Sequence, residues 1–140
     1  HEAVATELAR ACRHQRWVSA VMVDLDRFTA GHDLRGNLAG EHLLDRVGQV
    51  LRNSLRAGDE AGRLGGDEFA VLLTEADAFD AARTAERLLD DLTGESIAAS
   101  IGVATATRND DVSTLLARAD AGLYDAKREG KGRVVVVMPN

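Results

Sequence analysis

Four carboxylates occupy two short stretches of this 140-residue chain. Asp24 and Asp26 flank Leu25, while Asp67 and Glu68 follow a Gly-Gly pair. Two carboxylates at ~4 Å repel by about 4 kcal/mol at an effective dielectric of 20. A cation that offsets this repulsion is the main reason to keep such a pair together. Hard oxygen donors without His or Cys nearby favour Mg2+ over Zn2+. Mg2+ keeps several waters and is usually held through one or two carboxylates plus substrate phosphates. The chain has fifteen arginines but only two lysines, Lys127 and Lys131, both within one five-residue stretch. A phosphate site accounts for that clustering, and so does a solvated helix end.

Joining Asp24 to Asp67 requires neighbouring strands. Trp17 to Val23 is a mainly apolar, β-branched run, the mark of a buried strand, and it ends at Asp24-Leu25-Asp26. Ala61 to Leu64 and Phe69 to Leu73 surround Gly65-Gly66-Asp67-Glu68 and read as a β-hairpin with the acids at its tip. Helices are predicted over residues 1–15, 41–55, 78–92 and 112–127 from apolar residues at helical spacing. The glycine-punctuated stretch from Gly31 to Gly40 reads as a short helix or loop. Further strands are predicted over 96–104 and 134–137, the last ended by Pro139. The order α-β-α-α-β-β-α-β-α-β implies an α/β (α+β) fold, a mixed sheet with helices packed on it. Residues 1–140 read as one domain whose start looks truncated, since the first helix has no cap before it.

Composition narrows the function. A net charge of −6 argues against a nucleic-acid partner, because counterion release needs clustered Lys and Arg. A lone cysteine, Cys12, rules out an internal disulfide and hence a stapled secreted scaffold. No apolar run approaches the ~20 residues of a membrane span. The expectation is a cytoplasmic domain that does not insert into membranes.

Taken singly, Asp24 reads as the end of a strand and Gly-Gly-Asp-Glu as a polar turn. Taken together they resemble a known family. Gly65-Gly66-Asp67-Glu68-Phe69 resembles the signature of the GGDEF domains, the diguanylate cyclases. Asp24-Leu25-Asp26-Arg27-Phe28 resembles the family's D-[LI]-D-x-F, and Arg63-Leu64 precedes the glycines as in R-x-G-G-D-E-F. Ser100-Ile101-Gly102 resembles its S-I-G strand, and Ala119 to Lys127 its A-D-x-A-L-Y-x-A-K helix. The likeness runs through the chain in order, although the usual opening D-x-L-T-G-L-x-N-R is absent.

The resemblance implies a mostly antiparallel central sheet, similar to the palm of nucleotidyl cyclases and polymerases, that condenses two GTP into cyclic di-GMP and two pyrophosphates. It implies two Mg2+ per active site, with Mn2+ as an alternative metal, on Asp24, Asp67 and the Leu25 carbonyl. Asp67 would also help deprotonate the attacking 3′-hydroxyl, with Glu68 supporting the same centre. Lys127 and Lys131 would hold phosphates as point charges. Each domain would bind one GTP, so activity implies a homodimer, with an upstream sensory region controlling the pairing. Arg56-Ala57-Gly58-Asp59 matches the offset of the family's R-x-x-D inhibitory site for cyclic di-GMP, and Arg87 resembles a secondary arginine there. Outside that context, an Arg56–Asp59 ion pair at a helix end is worth only ~0–1 kcal/mol.

The substrate segment departs from the family's F-K-x-I-N-D-x-x-G-H-x-x-G-D. Phe28 is kept, but Thr29 replaces a phosphate-facing lysine, His32 a guanine-contacting asparagine and Glu41 a guanine-contacting aspartate. Neutral His offers one donor or one acceptor on its free edge, whereas Asn offers both. Each unpaired polar contact costs ~1–3 kcal/mol. The alternative function is therefore a weak or inactive domain that serves as a GTP- or cyclic di-GMP-binding receptor. His32-Asp33 also invites comparison with HD phosphohydrolases, a reading rejected because no further His ligands surround the pair.

Overall fold

The computed structural model describes residues 17–26 and 37–138. The expected helix over 1–15, together with Phe28, Thr29, His32 and Pro139, lies outside the described residues. The elements are β1 (Val18–Leu25), α1 (Asn37–Asn53), β2 (Glu60–Gly65), β3 (Glu68–Thr74), α2 (Ala78–Gly94), β4 (Ala99–Thr105), α3 (Val112–Arg128) and β5 (Val134–Val137). α1 begins at Asn37, so the last residues of the glycine-punctuated stretch are helical and Gly40 sits inside a helix. The fourth strand starts at Ala99 rather than 96, because Ser96 takes a positive φ and Ile97 N–H closes back on Leu92 as α2 ends.

The strands form one sheet in the order β2-β3-β1-β4-β5. β1 lies at its centre, antiparallel to both β3 and β4, and β2 is antiparallel to β3. Only the β4–β5 pair is parallel. The mixed, mostly antiparallel sheet flanked by helices is therefore as expected.

Strand side chains alternate between faces, and β1 obeys this with apolar residues on both. Val21, Val23 and Leu25 join Val47, Leu51, Leu88 and Leu92 in a core under α1 and α2. Val18, Ala20 and Met22 join Leu115, Ala119 and Leu123 in a second core under α3. A strand buried on both sides is mainly apolar on both, which is why no period-2 polar stripe marks it, and the buried Ser19 hydroxyl is met by the Ala76 carbonyl and Thr105.

α3 is fixed at two points. At its start, Asp111 and Thr114 form a reciprocal capping box with 2.9 Å bonds. The Arg118 guanidinium pairs with Asp110 and donates to the Thr105 carbonyl at 2.9 Å, tying the helix to the end of β4. Midway, the helix lies almost against the sheet. A Cβ on Gly102 would meet the Ala119 carbonyl oxygen at 2.1 Å and the Leu123 nitrogen at 2.2 Å. Only glycine allows that approach.

Candidate active site

The alternation that builds the cores also places the acids. Asp24 shares the parity of Val18, Ala20 and Met22, so it faces α3. Its cross-strand partners are Glu68 on β3 and Ser100 on β4. These three residues form one row across the centre of the sheet. Asp67 stands in the β2–β3 turn, where Gly66 adopts φ +52 and Asp67 does not take a positive φ, the pattern of a II′ hairpin turn. Arg63 Nε donates to the Gly66 carbonyl at 2.9 Å across the turn. The Leu25 N–H donates to the Asp67 carbonyl at 3.1 Å, fastening the turn to the end of β1. The hairpin tip thus carries Asp67, while Glu68 is already the first residue of β3.

α3 completes the site from above. Asp120 and Lys127 are seven residues apart and so share a helix face. Lys127 Nζ lies 3.0 Å from Asp24 Oδ2 and 3.8 Å from Asp26 Oδ1. Asp120 stands against Glu68. Burial pushes the Asp24 carboxyl above the ordinary aspartate range; Lys127 opposes the rise and the neighbouring Asp67 adds to it. Glu68 is also pushed up, first by burial and then by Asp120, with Asp24 and Asp67 contributing less. Five acids, Asp24, Asp26, Asp67, Glu68 and Asp120, thus meet one lysine at one end of β1.

A divalent cation fits this arrangement. Asp24 Oδ1 is buried and has no hydrogen-bond partner. Asp67 neighbours Asp24, and its negative charge adds to the rise of the Asp24 carboxyl. An unmet anionic oxygen beside a second carboxylate is what a hard cation would satisfy. Among the described residues no group of three or more His, Cys, Asp or Glu gathers as a metal centre. Asp24 and Asp67 with backbone oxygen would offer such a cation an open donor set, not a closed protein cage.

The other expected residues are distributed as follows. Lys131 is exposed, three residues beyond the end of α3, with φ +66. Glu41 is exposed in the first turns of α1. A cleft of about 210 Å3 opens between α1 and β2, lined by Leu44, Asp45, Gly48, Arg52, Gly62 and Arg63 among others. It is smaller than the roughly 300–1,000 Å3 of small-molecule sites.

Arg56, Asp59 and Arg87 come together at the opposite end of the sheet. Asp59 accepts from the Arg56 N–H and the Thr74 N–H, both at 3.0 Å, and from Thr74 Oγ1 at 3.3 Å. Its side chain is 3% exposed, whereas that of Arg56 is 66% exposed. Arg87 Nη2 donates to the Ser54 carbonyl at 3.2 Å, two residues before Arg56. Thr74 pairs with Val18 at one end of β1 and Glu68 with Asp24 at the other. Six residue steps along β1 separate these ends, roughly 20 Å.

The site also draws in Asp26, Ser100 and Asp120, to which the sequence alone gives no role. Asp26 had a signal, being two residues from Asp24 and hence on the same pleat face. Asp120 had a weaker one, its seven-residue spacing from Lys127.

Comparison with known proteins places the arrangement in context. Residues 1–133 match the family described as "Diguanylate cyclase, GGDEF domain". The chain is 37% identical over 138 residues to diguanylate cyclase DosC of Escherichia coli, covering 91% of this chain and 30% of that protein. It is 32% identical to diguanylate cyclase DgcS of Shewanella oneidensis, covering 93% of this chain and 46% of the relative. The chain thus spans less than half the length of these relatives. In structure it is similar to the GGDEF domain of DgcB from Caulobacter crescentus, solved in complex with c-di-GMP, with a TM-score of 0.89 at 25% identity over 96% of this chain and 84% of that one. It is equally similar to the active GGEEF domain of a diguanylate cyclase from Vibrio cholerae, with a TM-score of 0.90 at 25% identity over 99% and 94% of the two chains.

Proposed function

The chain belongs to the diguanylate cyclase GGDEF domain family, and we propose on that premise that it condenses two GTP into cyclic di-GMP with release of two pyrophosphates. The observation that carries this reading is the convergence of Asp24, Asp67 and Glu68 under Lys127, with one Asp24 oxygen buried and unmet.

Asp24 and Asp67, with the Leu25 carbonyl, would hold Mg2+. The bound cation supplies charge neutralisation for the triphosphate and a more acidic attacking hydroxyl. The remaining work belongs to the protein. Asp67 accepts the proton of the 3′-hydroxyl as its oxygen bonds to the α-phosphorus and pyrophosphate departs. Glu68, whose proton affinity burial and Asp120 raise, is a better base than an ordinary carboxylate and supports that transfer. Lys127 and Lys131 hold the phosphates. Phe28, His32 and Glu41 take the guanine side of the substrate, with His32 and Glu41 expected to grip it more weakly than Asn and Asp.

One domain presents one such cluster, so the product needs two copies facing each other, and an upstream sensory region would set their pairing. Cyclic di-GMP would act back on the enzyme through Arg56 and Arg87. Asp59 is spent on Arg56 N–H and Thr74, so its part is to hold the turn that presents the Arg56 guanidinium. With roughly 20 Å between that turn and the acids, inhibition would act through how two domains are held, not by blocking GTP.

The test is incubation of the chain, at concentrations that favour pairing, with GTP and Mg2+, followed by chromatography for cyclic di-GMP. Product that disappears in Asp67→Ala is the expected result. The replacements at Thr29, His32 and Glu41 favour a second reading, a receptor without turnover. Calorimetric binding of cyclic di-GMP with no GTP consumption would establish that reading instead.

A further inference from the structure

Asp26 lies outside the acid pair, yet its side chain is more buried than that of Asp24, 5% against 20% exposed. Its bonds run toward a distant turn. Oδ1 accepts from Ser100 Oγ at 2.8 Å, and Oδ2 accepts from the Gly132 N–H at 3.2 Å. The same Gly132 N–H also reaches Ser100 Oγ at 3.2 Å. The Asp26 N–H donates to the Ala98 carbonyl at 2.9 Å, so the carboxylate hangs from a fixed backbone.

The turn it holds needs holding. Lys131 and Gly132 adopt φ +66 and +62 in succession. A side-chain-bearing residue disfavours that region, and the surroundings must sustain it. The Lys131 N–H closes on the Ala126 carbonyl at 2.9 Å, which supports the turn from α3. Asp26 and Ser100 support it from the sheet. Both carboxylate oxygens of Asp26 are spent on this lock, Oδ1 on Ser100 and Oδ2 on Gly132, so an amide with one acceptor oxygen cannot replace it. Oδ1 also lies 3.8 Å from Lys127 Nζ.

We infer that Asp26, with Ser100, is a positioning residue for the triphosphate. It locks the Lys131-Gly132 turn so that Lys131 and Lys127 stand together beside Asp24 before substrate arrives. The inference rests on the cyclase reading, in which both lysines meet phosphate. Preorganised cations bind without first being ordered, so losing the lock weakens binding even though both charges remain.

The test is calorimetry of a non-hydrolysable GTP analogue with Mg2+ on the wild-type chain, Asp26→Asn, Ser100→Ala, Lys131→Ala and the Asp26→Asn/Lys131→Ala double variant. A cooperative melt shows that each variant is folded. Asp26→Asn should weaken the analogue about tenfold and Ser100→Ala by less, about threefold. The losses should be clearly less than additive in the double variant, because with Lys131 gone the lock has only Lys127 left to hold. In GTP turnover the Asp26→Asn loss should fall in KM more than in kcat. Additive losses, or unchanged affinity in Asp26→Asn or Lys131→Ala, overturn the inference while leaving the cyclase reading intact. A wild-type chain that binds no analogue overturns both. If Asp26→Asn does not fold, Ser100→Ala and its double variant with Lys131→Ala decide by the same rule.

Discussion

Lys127 Nζ sits 3.0 Å from Asp24 Oδ2, so a lysine in the last turn of α3 neutralises the acid at the end of β1. The pair links the two halves of the site, since Asp24 is presented by the sheet and Lys127 by the helix across it. It also offsets part of the repulsion within the acid cluster, while Asp24 Oδ1 stays without a partner.

Removing that ammonium exposes the repulsion beneath it. Lys127→Met should cost about 1–2 kcal/mol of stability without metal, between a surface and a buried ion pair, since both side chains are partly exposed. Mg2+ should then raise the melting temperature of Lys127→Met more than that of the wild type, because it restores the missing charge. Thermal melts with and without Mg2+ measure the difference. Equal shifts in both proteins would place the cation elsewhere.

Glu68 supplies a pH signature. Its folded pKa is raised above the ordinary value of 4.5, so the fold holds its proton more tightly than the unfolded chain does. The stability this contributes is full below about pH 4.5 and is lost as pH rises through the folded value. Metal-free Glu68→Gln should therefore melt higher than wild type at neutral pH and show a flatter stability profile upward from that point. Melting curves across pH give the comparison. A variant that is less stable at neutral pH would contradict the crowding of Glu68 against Asp120.

Gly102→Ala should be severe. The new methyl would fall 2.1 Å from a helix carbonyl, a clash relieved only by moving α3 off the sheet, at about 1–3 kcal/mol or more. The same movement carries Lys127 and Asp120 away from the acids. Urea unfolding should show the loss of stability, and GTP turnover should fall further than the folded fraction accounts for.

At the far end of the sheet, Arg56 and Asp59 should separate. Arg56→Ala removes an exposed guanidinium and should change stability by less than about 0.5 kcal/mol while relieving inhibition by cyclic di-GMP. Asp59→Ala strips acceptors from two backbone N–H groups and should cost about 1–3 kcal/mol. Denaturation and inhibition curves on the two variants measure both effects. Arg56→Ala inhibited as strongly as wild type would remove this end of the sheet from regulation.

Much of the molecule was legible from local pattern. β5 falls where its four valines stand, and α2 and α3 begin where apolar spacing places them, because each signal lies within a few residues. The hairpin was legible too, since glycines between two strand-like runs have few other solutions, although the turn itself is Gly66-Asp67 and not Gly-Gly. α1 starts four residues before its predicted start and ends two before its predicted end, the early start hidden because glycines that ordinarily break a helix lie within its first turn and just before it. Asp26 and Ser100 drew no role, because a carboxylate two residues past another looks like more of the same until its partners are known. Those partners, Ser100 and Gly132, lie 74 and 106 residues away.

The chain by itself determined which groups are present and, through strand alternation, that Asp24 must face away from Val23 and Leu25. It could not determine what stands opposite. Strand order sets Glu68 and Ser100 on either side of Asp24, and the Gly102 contact sets how closely α3 brings Lys127 and Asp120 down upon them. These are non-local distances, fixed when two cores close on both faces of one sheet, and carboxylate chemistry depends on distance.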